Sequence, residues 1–211
     1  MSIPKSHYFE ARPATASRPR TVRLRLGALE LELQADRGVF ASRGIDPGTM
    51  ILLREAPPPP LSGDLLDLGS GYGPIALVLA RRAPESHVWA VDVNERAIEL
   101  TRSNAATAQI PNVSALPPEQ VPDELRFDAI YSNPPVRVGK APLHDLLLRW
   151  LPRLKPGGAA YLVVQRNLGS DSLAKWLGEQ GFEVTRLRSK KGYRVLEVKH
   201  GPTAGSAGTS P

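Results

Sequence analysis

Apolar and polar residues alternate in two short runs near the start of the chain. Val22, Leu24 and Leu26 alternate with polar residues, as do Leu29, Leu31 and Leu33, and Gly27-Ala28 lies between the runs. A period of two marks strands with one buried face, and a two-residue loop joins such strands as a hairpin. Pairing through that turn sets Leu26 against Leu29, Leu24 against Leu31 and Val22 against Leu33 on one face. The other face pairs Arg25 with Glu30 and Arg23 with Glu32.

A further apolar run covers residues 50–53, and Pro57-Pro58-Pro59-Pro60 then makes a stiff connector that suits neither helix nor central strand. Beyond it, short apolar runs alternate with helical periodicity, the signature of a parallel sheet wrapped by helices. Strands are expected at residues 65–68, 88–91, 113–116, 127–131 and 160–164. Helices are expected at 74–82, with proline in the first turn, at 94–108 and at 171–180. Leu143, Leu146, Leu147, Trp150, Leu151 and Leu154 follow helical spacing as a core-facing stripe, which Lys155-Pro156-Gly157-Gly158 should end. Residues 182–188 and 193–198 read as two strands joined by a tight turn, hence antiparallel. The expected organisation is an N-terminal hairpin extension over residues 1–56, packed on a main domain over 57–199. A disordered tail over 200–211, made mostly of small and polar residues, completes it.

Two motifs carry candidate chemistry. Asp67 ends the first strand of the main domain and runs into Gly69-Ser70-Gly71-Tyr72-Gly73 before a helix, a turn where backbone can approach a ligand and present N–H groups. Asp92, 23 residues past Gly69, ends the next strand, where a carboxylate can accept hydrogen bonds from both ribose hydroxyls. A nicotinamide fold shares this outline, but its fingerprint wants glycine where this chain has Pro74. The second motif is Asn133-Pro134-Pro135 after the fourth strand, at the edge where open α/β sheets bind ligands. An Asn oxygen and a backbone carbonyl can accept both hydrogens of a planar amino group, and consecutive prolines donate no competing N–H. Such acceptors orient a nitrogen whose lone pair is delocalised and stabilise the positive charge that develops as it attacks.

Composition narrows the field. The 211 residues include no cysteine and four scattered histidines, which excludes disulfides, thiolate nucleophiles and cysteine-ligated zinc, and no metal is expected. No stretch approaches the ~20 apolar residues of a membrane span, and the N-terminus lacks a signal-peptide run, so a cytoplasmic protein is expected. The net charge of +6 is concentrated at the two ends. Lys5, Arg12, Arg18, Arg20, Arg23 and Arg25 face Glu10 alone, and Arg186, Arg188, Lys190, Lys191, Arg194 and Lys199 face Glu197 alone. That asymmetry favours a polyanionic partner.

The spacing Asp67-x-Gly69-x-Gly71-x-Gly73 resembles motif I of class I S-adenosylmethionine-dependent methyltransferases. His7-Tyr8-Phe9, Gly38-Val39-Phe40, the run from Val91 to Ala97, the run from Ser132 to Lys140 and Lys190-Lys191-Gly192-Tyr193 are similar to the small-domain group related to small-subunit ribosomal RNA guanine-N2 methyltransferases. The resemblance spans residues 7–199. It implies an α/β fold with a seven-stranded, mostly parallel Rossmann-like sheet whose last two strands are antiparallel. It implies that S-adenosylmethionine is held by Asp67, Gly69, Ser70, Gly71, Gly73, Asp92, Val93, Ala115 and Asn133. Asn133, Pro134 and Pro135 would hold the target amino group, and Phe40, Arg137, Lys140, Lys190, Lys191 and Tyr193 would bind substrate. The implied partner is RNA, either ribosomal RNA or the small ribosomal subunit, and a monomer is expected. Two departures stand out: Val136 replaces the aromatic residue often found after the second proline, and Ser114-Ala115-Leu116 lacks the acid that often holds adenine. Methylation of a protein glutamine amide is an alternative, because an amide presents the same planar amino group. A cofactor-retaining RNA-binding protein without turnover is another.

Overall fold

The computed structural model describes residues 15–41 and 43–201. His7-Tyr8-Phe9, Lys5, Arg12, the side chain of Arg137 and the tail past Gly201 lie outside the described residues. The hairpin forms from β1 (Arg20–Leu26) and β2 (Leu29–Ala35) in the register that the alternation dictates, from Arg20 opposite Ala35 to Leu26 opposite Leu29. Its outer face carries Arg23–Glu32 at 2.8 Å and Arg25–Glu30 at 2.9 Å. Both pairs are exposed, so they align the strands more than they stabilise them. The inner face buries Val22, Leu24, Leu26, Leu31 and Leu33 in the core of the rest of the chain. A buried Asn104 side chain also grips the β2 backbone, accepting from Gln34 N at 2.7 Å and donating to Gln34 O and to Tyr72 O at 2.9 Å each.

The main sheet has the order β5-β4-β3-β6-β7-β9-β8. Its parallel part comprises β3 (Ser62–Leu68), β4 (Glu85–Val91), β5 (Val113–Leu116), β6 (Phe127–Ser132) and β7 (Leu154–Gln165). β9 (Tyr193–His200) runs antiparallel to both β7 and β8 (Phe182–Lys190). Successive strand residues fall into two separate cores, which is why these strands read as continuous apolar runs. Leu65, Ala129 and Val163 pack with α1 (Pro47–Glu55), α2 (Pro74–Arg82) and α3 (Glu95–Thr107) on one face. Leu66, Ile130 and Leu162 pack with α4 (Lys140–Trp150) and α5 (Ser170–Glu179) on the other. Among the described residues no helix is long and apolar enough to cross a membrane.

Two local expectations are corrected. The stripe from Leu143 does not stay helical to Leu154: α4 ends at Trp150, a single tight turn covers Leu151–Arg153, and Leu154 opens β7. Lys155-Pro156-Gly157-Gly158 is therefore a bulge inside a strand and not a helix terminator, with pairing that jumps from Phe127–Leu154 to Ala129–Ala159. Lys155 Nζ anchors that bulge on Asp128 Oδ2 at 2.7 Å. The run at residues 50–53 lies in α1, whose start is set by Pro47 and by Asp46, whose side chain accepts from the N–H groups of Gly48 and Thr49.

Strand order reverses between β3 and its two neighbours, β4 on one side and β6 on the other. The carboxyl ends of these three strands therefore open a crevice at the switch point. Gly69, Asp92 and Asn133 each follow one of them.

Candidate active site

The turn after β3 is held by its neighbours. Gly69 N and Ser70 N both donate to Val91 O, at 2.8 and 3.1 Å, so the turn is laid across the end of β4. Asp92 braces it from the side, accepting from Gly71 N on Oδ2 at 2.8 Å and from Asn94 N on Oδ1 at 2.9 Å. Burial raises the Asp92 carboxyl above the ordinary carboxylate range, while those N–H groups pull the other way. Asn94 caps α3 and donates its Nδ2 to Gly38 O at 2.8 Å. That bond brings the segment before α1 over the turn, so that Phe40 shares one cleft with Leu68, Gly69, Val91, Asp92, Val93 and Asn133. The cleft has what a nucleoside-bearing cofactor requires. A Cβ added at Gly69 would meet no protein atom within 4 Å and would project into open space. The buried Ser70 Oγ on the turn side of the crevice has no hydrogen-bond partner among the described residues.

Asp67 itself is fully buried behind the turn; its Oδ2 accepts from Ala76 N, in the first turn of α2, at 2.9 Å. Burial pushes its carboxyl from an ordinary 3.8 up to about 8, opposed by the Ala76 amide and assisted by the charge of Asp92. The native protein therefore keeps a proton that the unfolded chain has released between those two values. Because the folded-state value is the raised one, the contribution to stability is complete below the unfolded value and is lost as pH rises toward about 8. Asp67→Asn keeps the Ala76 bond without the titration. Urea unfolding at pH 5 and pH 8 should show the variant gaining stability relative to wild type as pH rises, and parallel pH profiles would refute this placement of the proton.

Asn133 is built by three elements. Ser132 Oγ donates to Leu68 O at 2.7 Å, locking the end of β6 against β3. The Asn133 amide then donates both its hydrogens backwards, to Asp46 Oδ1 at 2.7 Å and Thr49 Oγ1 at 3.0 Å. With Nδ2 committed, the amide cannot flip, and Oδ1 is the acceptor left for the cavity that Asn133 lines. Pro135, at φ −76° and ψ 67°, centres a γ-turn in which Val136 N donates to Pro134 O at 2.8 Å. A carbonyl has two lone pairs, so Pro134 O retains one for a ligand. Beyond them lies a cavity of about 310 Å³ lined by Phe40, Asp46, Asn133, Pro134, Pro135 and Tyr193, with Val163 and Gln165 among its other walls. The aromatic surface missing at Val136 is thus supplied from elsewhere in the chain. Tyr193 packs so closely on α1 that a Cβ at Gly48 would lie 2.8 Å from its ring and 2.9 Å from Asp46 Oδ1.

The remaining expected residues scatter. Gly71 and Ser70 border the turn side of the crevice, whereas Gly73 starts α2 and faces Thr101. Ala115 is buried in the core, its carbonyl accepting from Arg102 Nε at 2.8 Å, and the far wall of the cleft is made instead by Pro118 and Leu146. Lys140 borders a separate cavity between α4 and α5, where His144 stacks on Trp176 at 3.6 Å. Lys190 is paired with Glu55 at 2.6 Å, and that hydrogen bond holds the Glu55 carboxyl below its usual range. Lys191 is exposed in the β8–β9 turn, and Arg194 is paired with Asp171. Asp46 and Thr49 are site residues that sequence reasoning missed. The only local signal was Asp46-Pro47, a helix start, which gives no hint of a partner 87 positions away.

Residues 30–197 match the family model of the methyltransferase small domain. An uncharacterized Bacillus subtilis protein, YbxB, is 34% identical over 196 residues, which are 92% of this chain and 98% of that protein. The ribosomal RNA small subunit methyltransferase C of Shewanella amazonensis is 34% identical over 186 residues, 84% of this chain and 52% of the relative. Among solved structures, the 16S rRNA guanine-N2 methyltransferase of T. thermophilus in complex with AdoMet and guanosine superposes with a TM-score of 0.69 at 26% identity. That match covers 89% of this chain and 52% of that one. The chain thus spans nearly all of the Bacillus protein and about half the length of the ribosomal RNA methyltransferases.

Proposed function

The chain belongs to the methyltransferase small domain family, and from that premise we propose that it transfers the methyl group of S-adenosylmethionine to an exocyclic amino group of a base in ribosomal RNA, with guanine N2 the favoured position. The observation that carries the reading is the locked Asn133 amide, whose Nδ2 is spent on Asp46 and Thr49 while Oδ1 borders the cavity. Asn133 and Phe40 also border the glycine turn, so donor and acceptor pockets meet at one amide. The fitted relatives include a protein solved with AdoMet and guanosine, which supports the same pairing of ligands here.

Bound S-adenosylmethionine supplies an activated methyl whose C–S bond breaks with the electron pair left on sulfur. The chain's own work is placement. Gly69, Gly71 and Asp92 bind the cofactor, with Phe40, Leu68, Val91, Pro118 and Leu146 as apolar walls. Asn133 Oδ1 and Pro134 O accept the two amino hydrogens and aim the nitrogen lone pair at the methyl. As the C–N bond forms, nitrogen becomes positive, those acceptors bind it more strongly than they bound the neutral amine, and one proton leaves to water. Lys191, with Lys190 released from its exposed pair with Glu55, provides phosphate contacts beside Tyr193.

Transfer of labelled methyl to unmodified small ribosomal subunits, naked RNA and total protein, followed by nucleoside mass spectrometry, tests the proposal. N2-methylguanosine is the expected product. Label confined to protein would replace the reading by the glutamine-amide one, and no label on any substrate despite cofactor binding would replace it by a non-catalytic role.

A further inference from the structure

We infer that the Asp46 carboxylate reads the base: Oδ1 fixes Asn133, and Oδ2 accepts the ring N–H adjacent to the amino group, so the site takes guanine and rejects other amino-bearing groups. The inference rests on the amino-transfer reading above and deepens it.

The two oxygens of Asp46 have different surroundings. Oδ1 receives three hydrogen bonds, from Gly48 N at 2.8 Å, Thr49 N at 3.1 Å and Asn133 Nδ2 at 2.7 Å. The hydrogen bonds that Asp46 accepts from these described residues all fall on Oδ1, and Asp46 borders both the glycine-turn side of the crevice and the Asn133–Tyr193 cavity. The carboxylate cannot turn away, because its Oδ1 is the N-cap of α1 and the Tyr193 ring closes on Gly48 beside it. Asn133 Oδ1 and Asp46 Oδ2 are thus the acceptors that these two side chains have left for the cavity both residues line, one an amide oxygen and one a carboxylate oxygen.

That pair matches one kind of amino group. In guanine the amino N2 adjoins N1–H, so its edge offers donors to both acceptors. In adenine the amino group adjoins N1, in cytosine N3, and in a glutamine amide the carbonyl oxygen, each of which is an acceptor. Any of these would put a lone pair against a carboxylate, while guanine gains a charge-assisted hydrogen bond there. A hydrogen bond to a charged group corresponds to about tenfold to a hundredfold in affinity. The same Asp46 that orients the reacting amide thus selects which amino group reaches it.

Guanosine and 2-aminopurine riboside carry the same 2-amino group, and guanosine alone has N1–H and O6, so a variant at Asp46, which alters the N1 contact, separates the two differences. With S-adenosylhomocysteine bound, chemical-shift titration of the wild-type protein should show guanosine binding at least about tenfold more tightly than 2-aminopurine riboside. In Asp46→Asn an amide retains the Oδ1 acceptor and turns an NH2 donor toward N1, so the preference should vanish or reverse. A role confined to capping α1 or holding Asn133 would weaken both nucleosides alike and leave the ratio unchanged. Equal wild-type affinities, or a preference unaltered in Asp46→Asn, overturns the inference; if that variant does not fold, Asp46→Ser, which keeps one capping oxygen for α1 and leaves none for N1–H, takes its place under the same two outcomes. Failure of the underlying reading looks different: neither nucleoside binds, and labelled methyl goes to protein.

Discussion

Asn133→Ala should lower kcat by roughly two to three orders of magnitude, the cost of removing one preorganised group from a developing charge, with a far smaller change in affinity for S-adenosylhomocysteine. Asn133 directly follows β6, whose end is tied to β3 by Ser132, and its amide is held at 2.7 Å by Asp46 and 3.0 Å by Thr49. No reorganisation is needed when charge appears on the nitrogen, so the loss falls on the transition state. Asn133→Asp is the sharper comparison. It keeps an oxygen facing the cavity but places a second carboxylate where Asp46 Oδ1 expects a donor, so the two acids must share a proton or separate. Its kcat should fall nearly as far as in the alanine variant. Thr49→Val removes one of two restraints on the amide and should cost less than either. Steady-state kinetics with a saturating RNA substrate separates these cases. An Asn133→Ala enzyme with unchanged kcat and only a raised KM would assign the amide to uniform binding and remove it from the chemistry.

How much of this was readable beforehand follows from the range of each interaction. The hairpin register was legible because a period of two and a two-residue turn fix it locally, and the observed pairs Val22–Leu33 through Leu26–Leu29 follow that rule. The antiparallel ending of the sheet was legible for the same reason. The glycine turn and Asn133-Pro134-Pro135 are contiguous motifs, and the topology of parallel strands brings their positions to one sheet edge. What escaped was long range. Asp46 meets Asn133 across 87 positions and Lys190 meets Glu55 across 135, pairings that no local pattern encodes. α1 was visible only as four apolar residues, because Gly48 and Thr49 occupy positions that the site, and not the core, dictates. Lys155-Pro156-Gly157-Gly158 misled because proline and glycine mark a strand bulge as readily as a helix end.

The cofactor cleft can be tested by a pair of substitutions that share one strain and differ in what the added methyl meets. Gly69 and Gly73 both have positive φ, 78° and 91°, so alanine at either costs about 1–2 kcal/mol of backbone strain. At Gly73 the new Cβ would lie 2.9 Å from Thr101 Cγ2 and 3.0 Å from its Oγ1. Thr101 is fully buried and donates to Gly71 O at 3.0 Å. It has nowhere to retreat, so Gly73→Ala should lose a further ~1–3 kcal/mol to overpacking. At Gly69 the Cβ would meet no protein atom within 4 Å, so unfolding should register the strain alone. Its methyl instead stands in the cleft shared by Asp92 and Asn133, in the volume assigned to the cofactor. A similar ~1–3 kcal/mol steric penalty is then levied on the ligand, raising Kd for S-adenosylhomocysteine by roughly tenfold to a hundredfold. Denaturant unfolding and isothermal titration on the two variants should therefore cross over: Gly73→Ala is the less stable protein, and Gly69→Ala is the weaker binder. If Gly69→Ala bound the cofactor as wild type does, the turn would be only a connection between β3 and α2, and the cofactor would have to lie elsewhere along the crevice.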